Sequence, residues 1–175
     1  LAGGDSGEML TTLIEEEGVA TVVVNQKTQT RENFIVVDGV GDQYRFGMPG
    51  AEVDASELEN LMDVINSLEQ RPDYLVLSGS LQSSIPVDFY AKISGRAKEL
   101  GIKVILDTVG LPLEQTLNEG VFMIKPNISE LFDLAGHDEV DHSKFAEIAR
   151  ELIHAGKTEV VVISMGSDGA AMVTK

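Results

Sequence analysis

The amino-acid sequence predicts an α/β fold, with a mostly parallel sheet covered by helices and a separate two-stranded ribbon. Two observations support this fold class. From residue 73 onward, short apolar runs alternate with segments of helical periodicity, which is typical of a parallel sheet covered on both faces. Between residues 31 and 47, two alternating runs instead flank the turn sequence VDGVGD, which predicts a hairpin.

The order of elements follows from these periodicities and from the Gly, Pro and Asn residues that interrupt them. The predicted strands lie at 20–25, 33–39, 43–48, 73–79, 102–107, 121–124 and 159–164. The predicted helices lie at about 6–17, 54–70, 86–100, 111–118, 127–135 and 141–155. The ribbon at 31–48 is too small to be stable alone, so we expect it to pack on the main sheet or on a partner.

Composition restricts the classes of function. The chain has 175 residues, the size of one domain, and it contains no cysteine, which excludes disulfides and thiolate metal sites. Its 29 acidic and 13 basic residues give a formal charge of −16, which repels nucleic acid and anionic membranes. An anionic ligand must therefore be held by a few placed cations and backbone amides. A salt-adapted source would also produce this acidity, and the sequence leaves that open.

No segment of the sequence predicts membrane insertion or export. No apolar run approaches the length of a membrane span, and the first residues, LAGGDSGEML, lack a basic segment followed by an apolar one. These features predict a cytoplasmic protein.

Small, polar and cationic residues follow the predicted strands. Ligands of open α/β sheets bind at the carboxyl ends of the strands, where backbone amides and glycine-rich turns attract phosphate. The sequence therefore predicts a site for a nucleotide or a phosphorylated ligand at this edge. The segments concerned are SGS (78–80), DTVG (107–110), KPN (125–127) and SMGSDG (164–169).

Three other motifs do not support a function. AGKT (155–158) resembles the end of a P-loop, but Glu151 stands where that motif needs glycine, so Gly156 is interpreted as a helix C-cap. No G-x-G-x-x-G follows a predicted strand. HDEVDH (137–142) offers imidazoles and carboxylates but lacks metal-ligand spacing, and we predict a solvated loop there.

Several motifs together resemble the PfkB-type sugar kinases of the ribokinase-like fold. They are TRENF, QYRFGMPG, LSGSL, ILDTVG, IKPNISEL and VVISMGSDGAA, in the family's order and spacing. The resemblance is to the phosphofructokinase branch, which comprises minor-type 6-phosphofructokinase, 1-phosphofructokinase and tagatose-6-phosphate kinase. It implies a three-layer α/β/α fold in which the ribbon is a lid, and this lid often mediates a homodimer.

The resemblance also implies that residues 1–175 are the central part of one kinase domain. Family members carry an N-terminal Gly-rich sugar segment and a C-terminal D-T-x-G-A-G-D motif with the general base. Here DTVG (107–110) continues as LPLE and matches an earlier family segment instead. We therefore expect no catalytic residue within this polypeptide, and no kinase activity from it alone.

The KPN segment carries the nucleotide interpretation. Without the resemblance, Asn127 and Glu130 are explained as a helix capping box. With it, Lys125, Asn127 and Glu130 face the phosphates of ATP and the hydration shell of magnesium, Glu130 through water. The resemblance likewise assigns the nucleotide loop to Ser164, Gly166 and Gly169, although SMGSDG alone would predict only a turn.

The resemblance assigns the sugar phosphate to the ribbon and the first strand end. Arg31 would grip the phosphate with its planar fork of donors, and strand alternation puts Asn33 on the same face. Ser80 matches a sugar-contacting position. Arg45 is a weaker candidate for the phosphate, and Asp107 either lies near the phosphate site or ends its strand.

Together these features predict an ATP- and magnesium-dependent kinase that converts fructose 6-phosphate or fructose 1-phosphate to fructose 1,6-bisphosphate. The sequence leaves three alternatives open: a tagatose-6-phosphate kinase, a ribokinase-like kinase of an unphosphorylated sugar, and a non-catalytic module that binds a phosphosugar or nucleotide.

Overall fold

The computed structural model describes residues 1–50, 52–137 and 140–175. The chain forms two compact units, one made of Leu1–Leu68 and Gln82–Ile85 and the other of Glu69–Leu81 and Pro86–Lys175. The predicted loop HDEVDH includes Asp138 and Glu139, which lie outside the described residues.

The first unit contains two helices and the predicted hairpin. Helix α1 (Gly4–Glu16) precedes the antiparallel strands β1 (Asn33–Val37) and β2 (Gln43–Gly47), and helix α2 (Ala55–Asn66) follows them. In the turn, Oδ1 of Asp38 accepts hydrogen bonds from the backbone amides of residues 40 and 42, both at 3.0 Å. The hairpin prediction is therefore confirmed.

The predicted strand at 20–25 is wrong. This segment joins no sheet and makes one isolated bridge, between Ala2 and Asn25. Its central Val22 is 76% exposed. A run of β-branched residues favours extended backbone, but a strand also needs a partner that supplies a ladder and a surface that covers its side chains.

The second unit is a five-stranded sheet with helices between the strands. The strand order is β3-β4-β5-β6-β7, parallel from β3 to β6, and β7 runs antiparallel to β6. Short 3₁₀ turns lie at His142–Lys144 and Gly166–Asp168. The elements are β3 (Tyr74–Ser78), α3 (Phe89–Glu99), β4 (Lys103–Asp107), α4 (Leu111–Leu117), β5 (Val121–Ile124), α5 (Ile128–Leu134), α6 (Phe145–His154), β6 (Thr158–Ser164) and β7 (Ala170–Thr174).

Strand β7 is absent from the sequence prediction. SMGSDG was interpreted as a turn and a candidate nucleotide loop, without a strand after it. The structure makes this turn the connection between β6 and β7, with Ser164 opposite Ala170 at the start of the ladder. The sheet is therefore mixed, with an antiparallel strand at one edge, as is common in mostly parallel sheets.

The core lies between the sheet and two groups of helices. Helix α3 contacts α4 and β4, whereas α5 and α6 contact each other and β6. Leu106, Ile124 and Val161 on the three central strands are fully buried. This buried apolar layer fixes the strands, and the strands in turn fix the position of the polar residues at their carboxyl ends.

None of the described helices can cross a bilayer. The longest of them, α1, has 13 residues and is not apolar enough, whereas a span needs about 20.

Candidate active site

The junction of β5 and α5 has the capping box that the sequence predicts. Asn127 Oδ1 accepts a hydrogen bond from the Glu130 amide at 2.9 Å, and Glu130 Oε2 accepts one from the Asn127 amide at 2.9 Å. Pro126 is fully buried beneath this corner, whereas Asn127 is exposed. The reciprocal bonds fix the carboxylate of Glu130 at the helix start, directly after the strand.

Lys125 and Asp107 form an ion pair between neighbouring strand ends. Lys125 Nζ lies 3.3 Å from Asp107 Oδ1, and the two side chains are 45% and 39% exposed. An ion pair at this exposure contributes less than about 1 kcal/mol to folding. Lys125 can therefore exchange its carboxylate partner for an anionic ligand at little cost in stability.

The carboxyl end of β3 is held through the peptide groups of Gly79. The amide of Gly79 donates to the carbonyl of Asp107 at 2.9 Å, and its carbonyl accepts from Thr108 Oγ1 at 2.8 Å and from the Tyr90 hydroxyl at 3.2 Å. Burial raises the pKa of Tyr90, which keeps its hydroxyl protonated as a donor. Ser80 follows directly and is exposed.

These strand ends surround one cleft of about 360 Å³. Its lining includes five of the residues that the sequence predicts as ligand contacts, and also Asp107 and Thr108. The five predicted residues are Ser80, Lys125, Asn127, Glu130 and Ser164. The cleft therefore combines a lysine, two carboxylates, an amide and hydroxyls at the sheet edge where ligands of α/β folds bind.

A second cleft of about 470 Å³ shares Asn127 and Ser164 with the first. Met165 and Asp168 of the β6–β7 connection line it, together with Phe145. Its other walls are Ile128 and Ser129 at the start of α5. The connection depends on two glycines with positive φ, Gly166 at 58° and Gly169 at 89°.

Thr108 lines the cleft and Tyr90 hydrogen-bonds to its edge, and neither is among the site residues that the sequence predicts. Thr108 belongs to the DTVG segment, so its place at a strand end was a usable signal. Tyr90 lies on α3, and its contact with the end of β3 depends on how the helix packs, which local sequence does not reveal.

The predicted sugar-phosphate residues of the ribbon lie in the first unit. Arg31 Nε donates to Asn33 Oδ1 at 3.3 Å, so the two side chains share a face, as predicted. Arg45 lies directly opposite Ile35 in the ladder and therefore on that same face. In the part of the chain that the structure describes, Arg31 forms no ion pair with a carboxylate.

The carboxylates of the cleft fit magnesium held jointly with a nucleotide. Among residues 1–50, 52–137 and 140–175, no cluster of three or more His, Asp or Glu side chains could bind a metal by itself. Magnesium typically uses one or two protein carboxylates together with substrate phosphates and water. Asp107 and Glu130 supply oxygen donors of that kind.

Comparison with known proteins assigns the family. The whole chain, residues 1–175, matches the pfkB family carbohydrate kinase model. The chain belongs to the pfkB family. This confirms the resemblance that its sequence motifs indicate.

Two curated relatives show how much of a pfkB kinase this chain represents. It is 34% identical over 175 residues to an ATP-dependent 6-phosphofructokinase isozyme 2 of Mycobacterium tuberculosis, covering 99% of this chain and 51% of that protein. It is 31% identical over 172 residues to a 1-phosphofructokinase of Bacillus subtilis, covering 98% of this chain and 55% of that protein. The pfkB chain thus spans about half the length of these relatives.

Solved structures confirm the fold. Phosphofructokinase-2 from Escherichia coli in complex with fructose-6-phosphate superimposes with a TM-score of 0.91 at 34% identity, over 99% of this chain and 58% of that one. The tetrameric inhibited form of the same protein gives a TM-score of 0.90 with the same identity and coverage. The predicted ribokinase-like fold of this pfkB chain, with its mostly parallel sheet and separate ribbon, is therefore correct.

Proposed function

We propose that the complete protein is an ATP-dependent kinase of a sugar phosphate, with fructose 6-phosphate or fructose 1-phosphate as acceptor and fructose 1,6-bisphosphate as product. The observation that carries this proposal is the cleft in which Lys125, Asn127 and Glu130 meet Ser80 at the carboxyl edge of the sheet. Residues 1–175 would form the central part of the kinase domain, and the Gly-rich sugar segment and the general base would come from other parts of the protein.

Phosphoryl transfer depends mainly on positioning and on neutralising charge, and the cleft residues suit both tasks. Lys125 would leave Asp107 and pair with a phosphate of ATP. The side-chain NH2 group of Asn127 would donate to a phosphate oxygen from the exposed start of α5. The second cleft, along the β6–β7 connection, would receive the nucleoside part. Ser164 lines this cleft, and Gly166 and Gly169 shape the connection through their positive φ angles.

Magnesium, when bound, would supply positive charge that offsets the charge developing during transfer, and Glu130, through water, and Asn127 would hold it. The capping bond of Glu130 uses Oε2 alone, which leaves Oε1 to hold a water molecule of the metal's hydration shell. Asn127 lies at the same helix start, where its Oδ1 accepts a hydrogen bond from the Glu130 amide. The Glu130 carboxylate could therefore cap the helix with one oxygen and orient a water molecule of the metal with the other.

Ser80 and Arg31 would be the main ligands of the acceptor. Ser80 would contact the sugar at the end of β3. Arg31 would bind the phosphate that the sugar already carries, because a guanidinium presents two parallel donors to a phosphate. Arg45 on the same ribbon face adds a second positive charge in a chain of net charge −16.

The ribbon would also join two copies of the protein into a homodimer. Phe34 and Phe46 are directly opposite each other in the ladder and are 50% and 55% exposed. Paired aromatic side chains on one ribbon face suit a surface that is covered by a second copy. Replacing both by serine should convert the dimer to a monomer in sedimentation analysis, and an unchanged dimer would place the interface elsewhere.

The decisive experiment is an assay of the complete open reading frame with ATP, magnesium and a panel of acceptors. The panel contains fructose 6-phosphate, fructose 1-phosphate, tagatose 6-phosphate, fructose and ribose. We expect turnover of a phosphorylated acceptor, and no turnover by the 175-residue polypeptide alone. Turnover of an unphosphorylated sugar only would indicate a ribokinase-like specificity, and binding without any turnover would indicate a non-catalytic module.

A further inference from the structure

Two side-chain hydroxyls converge on the end of β3. The Tyr90 hydroxyl lies 3.2 Å from the carbonyl oxygens of both Ser78 and Gly79, and Thr108 Oγ1 donates to the Gly79 carbonyl at 2.8 Å. Tyr90 comes from α3, whereas Thr108 follows β4. Two elements that are distant in sequence thus hold the same backbone carbonyl.

This point is where the regular hydrogen bonding of the sheet ends. The last ladder pair is Ser78 with Asp107, and the amide of Gly79 adds one more bond to the Asp107 carbonyl. Gly79 then adopts a φ of 103°, so the chain turns away from the strand direction. Beyond it, Ser80 no longer has a neighbouring strand to fix its position.

We propose that Tyr90 and Thr108 are positioning residues for the sugar phosphate, because their hydroxyls fix the Gly79 peptide and so place Ser80 on the cleft. This inference rests on the proposed function and extends it to two residues that would act through Ser80. Thr108 is buried and Tyr90 is half-buried, so both hydroxyls are held by packing as well as by their hydrogen bonds.

A purely structural role of the Tyr90 and Thr108 hydroxyls predicts a different effect on stability and on the Michaelis constants. If the hydroxyls only complete the hydrogen bonding of a strand end, their removal would lower the melting temperature and leave both Michaelis constants unchanged. If they place Ser80, their removal would act selectively on the sugar phosphate. KM for ATP would stay constant, because Asn127 is fixed by the capping box at the start of α5, in which neither hydroxyl takes part.

The test uses conservative variants of the complete protein. Tyr90→Phe and Thr108→Val each remove one hydroxyl and nearly preserve shape, whereas Thr108→Ser keeps the hydroxyl. Tyr74→Phe is the matched control, since Tyr74 lies at the other end of the same strand and its ring packs at a tilt against Phe122. Ser80→Ala reports the contribution of Ser80 itself.

We expect Tyr90→Phe and Thr108→Val each to raise KM for the accepted sugar phosphate by roughly three- to tenfold, because a displaced Ser80 weakens one contact and a tenfold change corresponds to about 1.4 kcal/mol. KM for ATP should stay constant, and Thr108→Ser and Tyr74→Phe should behave as wild type. The double variant Tyr90→Phe/Thr108→Val should raise KM by less than the product of the single effects, since both bonds end on one carbonyl.

The possible failures are distinguishable. If Ser80→Ala raises KM while Tyr90→Phe and Thr108→Val leave it unchanged, the inference is wrong and the proposed function stands. If Thr108→Val fails to fold, the Tyr90→Phe result decides. If the complete protein turns over no phosphorylated sugar, the proposed function and this inference both fail.

Discussion

Lys125 Nζ lies 3.3 Å from Asp107 Oδ1, so an ion pair joins the carboxyl ends of β5 and β4 inside the cleft. Both side chains are partly exposed, which limits the contribution of the pair to folding. The same geometry holds the ammonium group at the carboxyl edge of the sheet. Asp107 thus keeps the lysine in place without binding it tightly.

Lys125→Gln in the complete protein should therefore lower kcat strongly while changing the free energy of unfolding little. We expect kcat to fall by roughly 10²-fold, as when one preorganised donor to a developing charge is removed. The free energy of unfolding should change by less than about 1 kcal/mol. Lys92→Gln is the control, because Lys92 forms a similarly exposed pair with Asp88 at 3.0 Å on helix α3. A normal kcat in Lys125→Gln would remove Lys125 from the phosphate site.

Glu130→Gln should change the magnesium dependence and leave the fold intact. Glutamine retains an oxygen that can accept the Asn127 amide, so the cap survives, but the charge that organises the metal is lost. We expect lower kcat and a higher magnesium requirement in a titration of activity against magnesium, with a nearly unchanged melting temperature.

Glu57 provides the contrasting capping box for that experiment. It is 4% exposed, and its two oxygens accept from the amides of Lys27 and Asp54, each at 2.7 Å. Glutamine can replace only one of these acceptors, so Glu57→Gln should cost about 1–3 kcal/mol and leave the magnesium requirement unchanged. If Glu130→Gln behaved like Glu57→Gln, Glu130 would be a cap and nothing more.

Arg31→Lys tests the phosphate contact on the ribbon. Lysine keeps the charge but offers no planar fork, so KM for the sugar phosphate should rise about tenfold if about 1.4 kcal/mol is lost. KM for ATP should stay constant, and Arg31→Ala should have a larger effect. Arg71→Lys serves as a control outside the ribbon. Normal saturation of both Arg31 variants by every phosphorylated sugar would make Arg31 an ordinary surface charge.

Tyr90 should ionise late in a phenolate absorbance titration. Burial raises the pKa of Tyr90 above its usual value of 10.0. Tyr90→Phe should remove this late component. Because the folded pKa is the raised one, the associated stability is complete below the unfolded pKa near 10 and is lost as pH rises through the folded value.

The sequence alone predicts the junction of β5 and α5, because a local capping signal directly follows a buried apolar strand there. The capping box at Asn127 was predicted correctly because capping depends on residues three positions apart, and the end of β5 was predicted because its apolar run stops there. Strand β7 was missed because AAMVT has little β-propensity of its own and pairs through β6. The segment at 20–25 shows the reverse case. Its residues have high β-propensity, but it pairs with no strand and makes only an isolated bridge. Tyr90 was not predicted because its hydrogen bonds to the carbonyls of Ser78 and Gly79 depend on the tertiary position of α3.

The order of strands in the sheet is the order of strands in the chain, from β3 to β7. Every ladder therefore closes between segments that are neighbours in sequence, and the loop-closure entropy for each new strand is small. Low contact order of this kind favours fast folding. On a ribosome, each strand would emerge after its partner is already synthesised, so the sheet can grow by one strand at a time during translation. The carboxyl-edge cleft would then be assembled in the same direction, with the β3 end first and the β6–β7 connection last.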